Sequence, residues 1–286
     1  LEIRVESLHC VYSPGTLWQN KALNDVSFTI PSCSVLGILG HTGSGKTTLL
    51  KNLNGLLKPT SGQIFLDGID TGSFQAQLSR MVGLVFQCPE RQLFEDTVLK
   101  DISFPFRIDQ ELSEEEIFIK ARDACEDVGL DLNKIGADSP ESLSEASRRK
   151  LAIACILVND PGIIMFDEPL AGMNPYSSLE LVRMIMKMKS EKKRTIIIVS
   201  HDMAPFISFL DFMMALDNGR VRAFGKCGEV CEMLSEDSGF SELLPPVASL
   251  KHLLVKAGIR IPTDEFDPCV ISKIVSLSLS TGDVSK

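Results

Sequence analysis

Hydrophobic and polar positions alternate at the start of the chain. IRVESLHCVY (3–12) and ALNDVSFTI (22–30) each put apolar side chains on one face, with a polar turn at Ser13, Pro14 and Gly15 between them. Period-two patterning predicts antiparallel strands with one solvated face. SVLGILG (34–40) breaks the alternation. It is a continuous apolar run, as expected of a parallel strand buried on both faces. A glycine-rich turn leads from it into a helical stretch, TTLLKNLNGLL (47–57), expected to stop at Gly55 or near Pro59. Two short strands, QIFLDG (63–68) and MVGLVF (81–86), follow.

From about residue 90 to 160 the pattern is helical: TVLKDISF, then SEEEIFIKARDACEDVG, then SRRKLAIACILV. Ser113 and Glu116 have the spacing of a capping box. The acidic stretch Asp109 to Glu116 reads as a solvated helix start. Strand–helix alternation returns after Pro161. GIIMF precedes the helical SSLELVRMIMKMK, with Pro175 suited to a first turn, and RTIIIVS precedes a short helix. MMAL-DNG-RVRAF predicts a hairpin. A Pro-Pro pair at 245–246 marks a boundary beyond about residue 236, and the tail is mostly helical. The pattern is that of a parallel α/β core interrupted by a helical insertion.

Composition narrows the function classes. The 286 residues carry 29 Lys and Arg against 38 Asp and Glu, a formal charge of −9. A broad nucleic-acid footprint needs the opposite sign, so no nucleic-acid partner is expected. No apolar run approaches the ~20 residues that span a bilayer. LEIRVESLHC lacks the pattern of a signal peptide and does not begin with Met. The eight cysteines are scattered, mostly in apolar segments, and read as reduced thiols in a cytoplasmic setting. The C-x₃-C pair Cys227 and Cys231 reads as two helix-side thiols rather than a metal site. Met184 and Met188 share a helix face and read as core filler.

Two segments carry chemistry. GHTGSGKTT runs through Gly40, His41, Thr42, Gly43, Ser44, Gly45, Lys46, Thr47 and Thr48, and fits G-x-x-x-x-G-K-[ST] between a buried strand and a helix. Glycines let backbone N–H groups turn inward around phosphate oxygens, and the helix N-terminus adds partial positive charge. Lys46 is placed for the β- and γ-phosphates of ATP and Thr47 for Mg²⁺. GIIMFDEP then puts Asp167 and Glu168 at the carboxyl end of a strand, where open α/β sheets bind ligands. Asp167 suits Mg²⁺ coordination, and Glu168 can polarise a water for attack on the γ-phosphate.

GHTGSGKTT, Gln87 in GLVFQ, the DEP segment and His201 in VSHDM occur in the order of an ABC-transporter ATP-binding subunit. The chain resembles that family over at least residues 1 to ~235. HTGSGKTTLLKNLNGLLKPTSG and PERQLFEDTVLKDISF look like the ATP-binding subunits of energy-coupling-factor (ECF) transporters, which take up vitamins and transition-metal ions. The resemblance implies a RecA-like parallel core, an antiparallel β-subdomain, an inserted helical subdomain at about 90–160 and a C-terminal helical extension at 236–286. It implies that Tyr12 stacks on adenine, that Gln87 contacts Mg²⁺ and the attacking water, and that His201 contacts the γ-phosphate. It places an ATPase at the cytoplasmic face of the membrane, working with a second ATPase, a transmembrane coupling subunit and a substrate-binding membrane protein. A groove beside Gln92, Leu93 and Phe94 would receive coupling helices.

Two departures from the family pattern stand out. The family's signature loop is Leu-Ser-Gly-Gly-Gln, and here it reads Leu143, Ser144, Glu145, Ala146, Ser147. A following loop that usually ends Leu-Asp-Pro here reads Met173, Asn174, Pro175. In the family each ATP lies between the phosphate loop of one subunit and the signature of the other. The altered loop therefore bears on the partner's site and implies an asymmetric heterodimer. Glu145 can turn to water or toward Arg148 and Arg149. The alternatives are a largely non-hydrolytic scaffold subunit, or the ATPase of a conventional ABC importer.

Overall fold

The computed structural model describes residues 1–107 and 112–281, so Asp109 to Glu111 of the expected acidic helix start, and the last five residues of the tail, lie outside it. Strand β1 (Ile3–Tyr12) pairs antiparallel with β2 (Asn20–Ile30) and with β4 (Ser61–Leu66), which in turn pairs with the two-residue β5 (Ile69–Asp70). They form a four-stranded antiparallel sheet in the order β2-β1-β4-β5. The continuous apolar runs form a second, six-stranded sheet. Its members are β3 (Val35–Leu39), β6 (Val82–Val85), β7 (Ile163–Asp167), β8 (Thr195–Val199), β9 (Phe212–Asp217) and β10 (Arg220–Lys226), in the order β10-β9-β3-β8-β7-β6. All of its pairings are parallel except the β9–β10 hairpin. Every residue of β3, β7 and β8 is buried, as their lack of polar alternation requires.

Helix α1 (Lys46–Asn54) ends at Gly55, whose left-handed conformation caps it. A short helix α2 (Gln75–Met81) precedes β6 and was not expected. Between β6 and β7 lie α3 (Val98–Ser103), α4 (Glu114–Asp127), α5 (Leu132–Ile135) and α6 (Glu145–Leu157). Ser113 and Glu116 form the capping box of α4. Helix α6 starts two residues before the expected Ser147. Ser144 caps it by accepting the Ser147 N–H, and Glu145 sits in its first turn, where the helix dipole favours a carboxylate. Helix α7 (Pro175–Lys192) has Asn174 as its cap and Pro175 in its first turn, as expected. Met188 is buried on its inner face and Met184 is half-buried against the same core. After β10 come α8 (Cys227–Ser235), α9 (Pro246–Lys256) and α10 (Pro268–Thr281).

Two apolar cores flank the parallel sheet. One lies between it and the antiparallel sheet and includes Leu36, Ile38, Leu49 and Leu53. The other faces the helices and takes in Phe166, Ile185 and Phe206, and also Phe240, Leu244, Ala248 and Phe266 of the tail. Cys227 and Cys231 are both buried, and among the described residues no group of three or more His, Cys, Asp and Glu is placed to hold a metal ion.

Candidate functional site

The carboxyl ends of β3, β7 and β8 deliver the phosphate loop, the acidic pair and His201 to one edge of the sheet. There an open cleft of about 600 Å³ is lined by Tyr12, Thr42, Gly43, Gly45, Lys46, Thr47, Thr48, Gln87, Asp167 and Glu168, among others. The loop's shape depends on its glycines. Gly40 and Gly45 adopt φ of 156° and 104°. A Cβ would lie 2.2 Å from the Leu216 carbonyl oxygen at Gly40, and 2.5 Å from that of Ala22 at Gly45. Side chains are excluded there by backbone as well as by conformation. At Gly43 a Cβ would meet open space, because the chain turns its bare backbone toward the cleft.

The Lys46 ammonium donates to the carbonyl oxygens of Gly40 and His41 at 2.6 and 2.9 Å. Burial pulls its pKa below the ordinary value, against the opposing charges of Glu168 and Asp167. The Thr47 hydroxyl donates to Asp167 Oδ2 at 2.7 Å. A hydroxyl and a carboxylate in contact are the hard oxygen set that a small divalent cation takes. Burial, with Glu168 beside it, holds the Asp167 carboxyl above its usual range despite the Thr47 bond and Lys46.

Glu168 stands at the turn out of β7 with φ of 49°. Its carboxylate accepts the His201 backbone N–H at 3.0 Å, meets His201 Nδ1 at 2.7 Å and accepts the Ser200 hydroxyl at 3.3 Å. A carboxylate only accepts, so Nδ1 carries the hydrogen. Gln87 is exposed at the cleft just beyond β6. Tyr12 also lines the cleft, its hydroxyl 3.3 Å from Thr48 Oγ1.

Not every expected residue faces the cleft. His41 turns away, with Nε2 2.8 Å from the Gly239 carbonyl and its ring 5.7 Å from that of Phe240. Gly40 and Ser44 support the loop from behind, and Ser44 is buried. Asn20, Lys21, Ala22 and Asn218 line the cleft without having been singled out, since nothing in their local sequence sets them apart. Ser200 was also missed. Its position before His201, at a strand end, was the available signal. Of Glu145's expected partners, Arg149 is committed elsewhere: its guanidinium is bonded to Glu90 and to the Ala171 carbonyl.

A phosphate loop and an acidic pair on the carboxyl edge of a parallel sheet, beside an antiparallel sheet and a helical insertion, define an ATP-binding cassette. The family described as "ABC transporter" matches residues 23–171. The energy-coupling factor transporter ATP-binding protein EcfA2 of Caldanaerobacter subterraneus subsp. tengcongensis is 38% identical over 268 residues, covering 92% of this chain and 93% of that one. The EcfA2 of Clostridium acetobutylicum is 38% identical over 269 residues, covering 93% and 94%. Among solved structures, cbiO1 from Clostridium perfringens, described as part of the ABC transporter complex cbiONQ, is 32% identical with a TM-score of 0.71, covering 88% of this chain and 98% of that one. A dimeric post-hydrolysis state of the cassette MJ0796 bound to ADP and Pi superimposes with a TM-score of 0.68 at 26% identity, covering 79% and 98%. The chain belongs to the ECF transporter ATP-binding proteins, within the ABC transporter family. It is an ATPase subunit that energises a transporter.

Proposed function

We propose that the cleft binds Mg²⁺–ATP and hydrolyses it to drive ECF-type import of a vitamin or transition-metal ion. The observation that carries this is the convergence of Lys46, Thr47, Asp167 and Glu168 on one cleft. Backbone N–H groups of the phosphate loop and the Lys46 ammonium bind the β- and γ-phosphates. Thr47 and Asp167, with Gln87, would hold Mg²⁺, which would supply charge neutralisation at the phosphate. Tyr12 packs on adenine. Glu168, oriented by Ser200 and His201, draws a proton from a water whose oxygen bonds to the γ-phosphorus as the bond from that phosphorus to the bridging oxygen breaks, releasing ADP and phosphate. Gln87 orients the same water and His201 contacts the γ-phosphate.

In this reading residues 1–235 form the nucleotide-binding domain, with its helical subdomain at about 90–160, and 236–286 form an extension. The resemblance to ECF ATP-binding subunits supports a peripheral place at the cytoplasmic face of the membrane; among the described residues no helix is long and apolar enough to cross a membrane. The chain's partners are a second ATPase, a transmembrane coupling subunit and a substrate-binding membrane protein. Phe94 is exposed and meets Phe104 edge-on at 4.9 Å, an apolar pair beside which a coupling helix can dock.

The test is turnover of the assembled complex carrying Glu168→Gln. Mg²⁺–ATP binding persists and hydrolysis slows by roughly 10²–10⁴-fold, the usual worth of a general base. Undiminished turnover with binding intact would show that another group, or the partner's site, carries the chemistry.

A further inference from the structure

Three segments that are distant in sequence meet on the guanidinium of Arg149, in the second turn of α6. Its Nε and Nη2 donate to Glu90 Oε2 and Oε1 at 3.0 and 3.3 Å. Its Nη1 and Nη2 both donate to the Ala171 carbonyl at 3.3 Å. Glu90 lies three residues beyond Gln87, in the single turn Pro89–Gln92. Ala171 lies three residues beyond Glu168, and its N–H returns to the Glu168 carbonyl at 3.2 Å. The loop after the acidic pair and the turn after Gln87 therefore share one anchor, on the helix that the signature loop opens.

The pair is withdrawn from water, with the Arg149 and Glu90 side chains 8% and 13% exposed. Burial works against the Glu90 carboxylate, yet the hydrogen bonds and charge of Arg149 hold its carboxyl below the ordinary range. Buried ion pairs contribute little net stability against their desolvation cost, and their best-attested use is to specify how elements register. A bidentate guanidinium suits that use, because its fork fixes direction as well as distance.

We infer that Arg149 is a positioning residue for hydrolysis: it keeps the Gln87 turn and the Glu168 loop in one register with α6, so that a movement of α6 carries both. Arg149 does not line the nucleotide cleft, and none of its hydrogen bonds goes to the phosphate loop. Losing it leaves nucleotide binding intact and misplaces the groups that act on the water. A misplacement of ~1 Å is worth up to ~10²-fold in rate. The inference rests on the assignment of Gln87 and Glu168 to the attacking water.

The experiment compares Arg149→Ala, Arg149→Lys, Glu90→Gln, Glu90→Ala and the Arg149→Ala/Glu90→Ala double variant in the assembled complex, with Gln87→Ala as reference. Arg149→Ala lowers kcat by about 10–100-fold while KM for ATP stays within about twofold. Lysine, a single-point donor, recovers only part of the loss. The double variant is no slower than the worse single one. A merely structural role would move KM along with kcat, and lysine would restore both; thermal stability falls in either case, because the alanine leaves the buried Glu90 carboxylate unpaired. If the alanine variant does not assemble, Arg149→Lys and Glu90→Gln carry the same kcat-against-KM comparison. Wild-type kcat in the folded Arg149 variants, or losses at Glu90 and Arg149 that multiply, overturns the inference. Wild-type kcat in Gln87→Ala overturns the site assignment beneath it, and a fall in Gln87→Ala alone overturns only the role of Arg149.

Discussion

Asp167 is held between two demands. It is buried at the end of β7, beside Glu168, and burial raises its pKa, so the folded protein binds that proton more tightly than the unfolded chain does. Stability from this source is fully present below the ordinary carboxylate value and is lost as pH rises through the folded one. At neutral pH the ionised Asp167 therefore weighs against the nucleotide-free fold. Asp167→Asn is expected to raise the melting temperature of the free protein at pH 7 by about 2–4 °C, equivalent to ~1 kcal/mol. The gain should shrink as pH falls toward the ordinary carboxylate range. The same variant should lose most of the stabilisation that Mg²⁺–ATP gives the wild type. A nucleotide-free variant that melts at or below the wild-type temperature at pH 7 would contradict this account. Lys46→Ala separates binding from metal: it removes the cation facing the phosphates, and equilibrium dialysis should find no Mg²⁺–ATP bound. Unchanged affinity there would remove Gly40 to Thr47 from the site. The proposed site was legible in sequence because its parts, Gly40 to Thr48 and Asp167 with Glu168, are each contiguous runs. The Glu90–Arg149 pair was not, since its members are 59 positions apart and only the fold brings them together.

At the level of elements, legibility followed burial. The parallel strands announced themselves as unbroken apolar runs, and Ser113 with Glu116 marked the start of α4. The short α2 and the two-residue β5 offer too few positions for a period to show. The start of α6 was misplaced because Glu145 and Ala146 sit where the family pattern has glycines. A carboxylate in a first turn and a good helix former favour helix over loop, so the helix extends back to the Ser144 cap. The segment PERQLF also divides differently from its sequence reading. Leu93 is half-buried against the core, whereas Phe94 is exposed at 66% and packs edge-on against Phe104. Leu93→Asp would therefore disturb the fold along with any docking. Phe94→Asp alone is the cleaner probe, because a carboxylate in an apolar contact is costly to desolvate. It is expected to leave Mg²⁺–ATP affinity unchanged and to weaken capture of the transmembrane coupling subunit by at least about tenfold. Full capture by the folded variant would move the docking surface elsewhere.

For the molecule as a whole, in the proposed pairing with a second ATPase the altered signature loop would bear on the ATP held by the partner. Ser144, Glu145 and Ala146 are exposed at the N-terminus of α6, and none of them lines this chain's own cleft. A helix N-terminus is a natural anion site. Here the Ser144 hydroxyl already takes the Ser147 N–H at 3.2 Å, and in the proposed dimer Ala146 would add a Cβ to the approach and Glu145 a carboxylate beside the partner's phosphate. Arg149 cannot neutralise that carboxylate, because Glu90 and Ala171 occupy its guanidinium. Two like unit charges ~4 Å apart repel by about 4 kcal/mol at an effective dielectric of ~20. Solvent screening at an exposed site reduces this, yet a third of it still weakens closure about tenfold. A homodimer would carry the defect in both of its sites. A heterodimer confines it to one, leaving the site built on Lys46 and Glu168 of this chain to be closed by an intact Leu-Ser-Gly-Gly-Gln in the partner. Breaking the partner's signature should then abolish turnover of the assembled complex. Restoring the loop here with Glu145→Gly, Ala146→Gly and Ser147→Gln should raise turnover modestly or make the two sites alike. Both arms read the rate per complex at saturating ATP. Brisk hydrolysis by this chain as a purified homodimer would exclude the asymmetric assembly, because no intact signature would then be present to close either site.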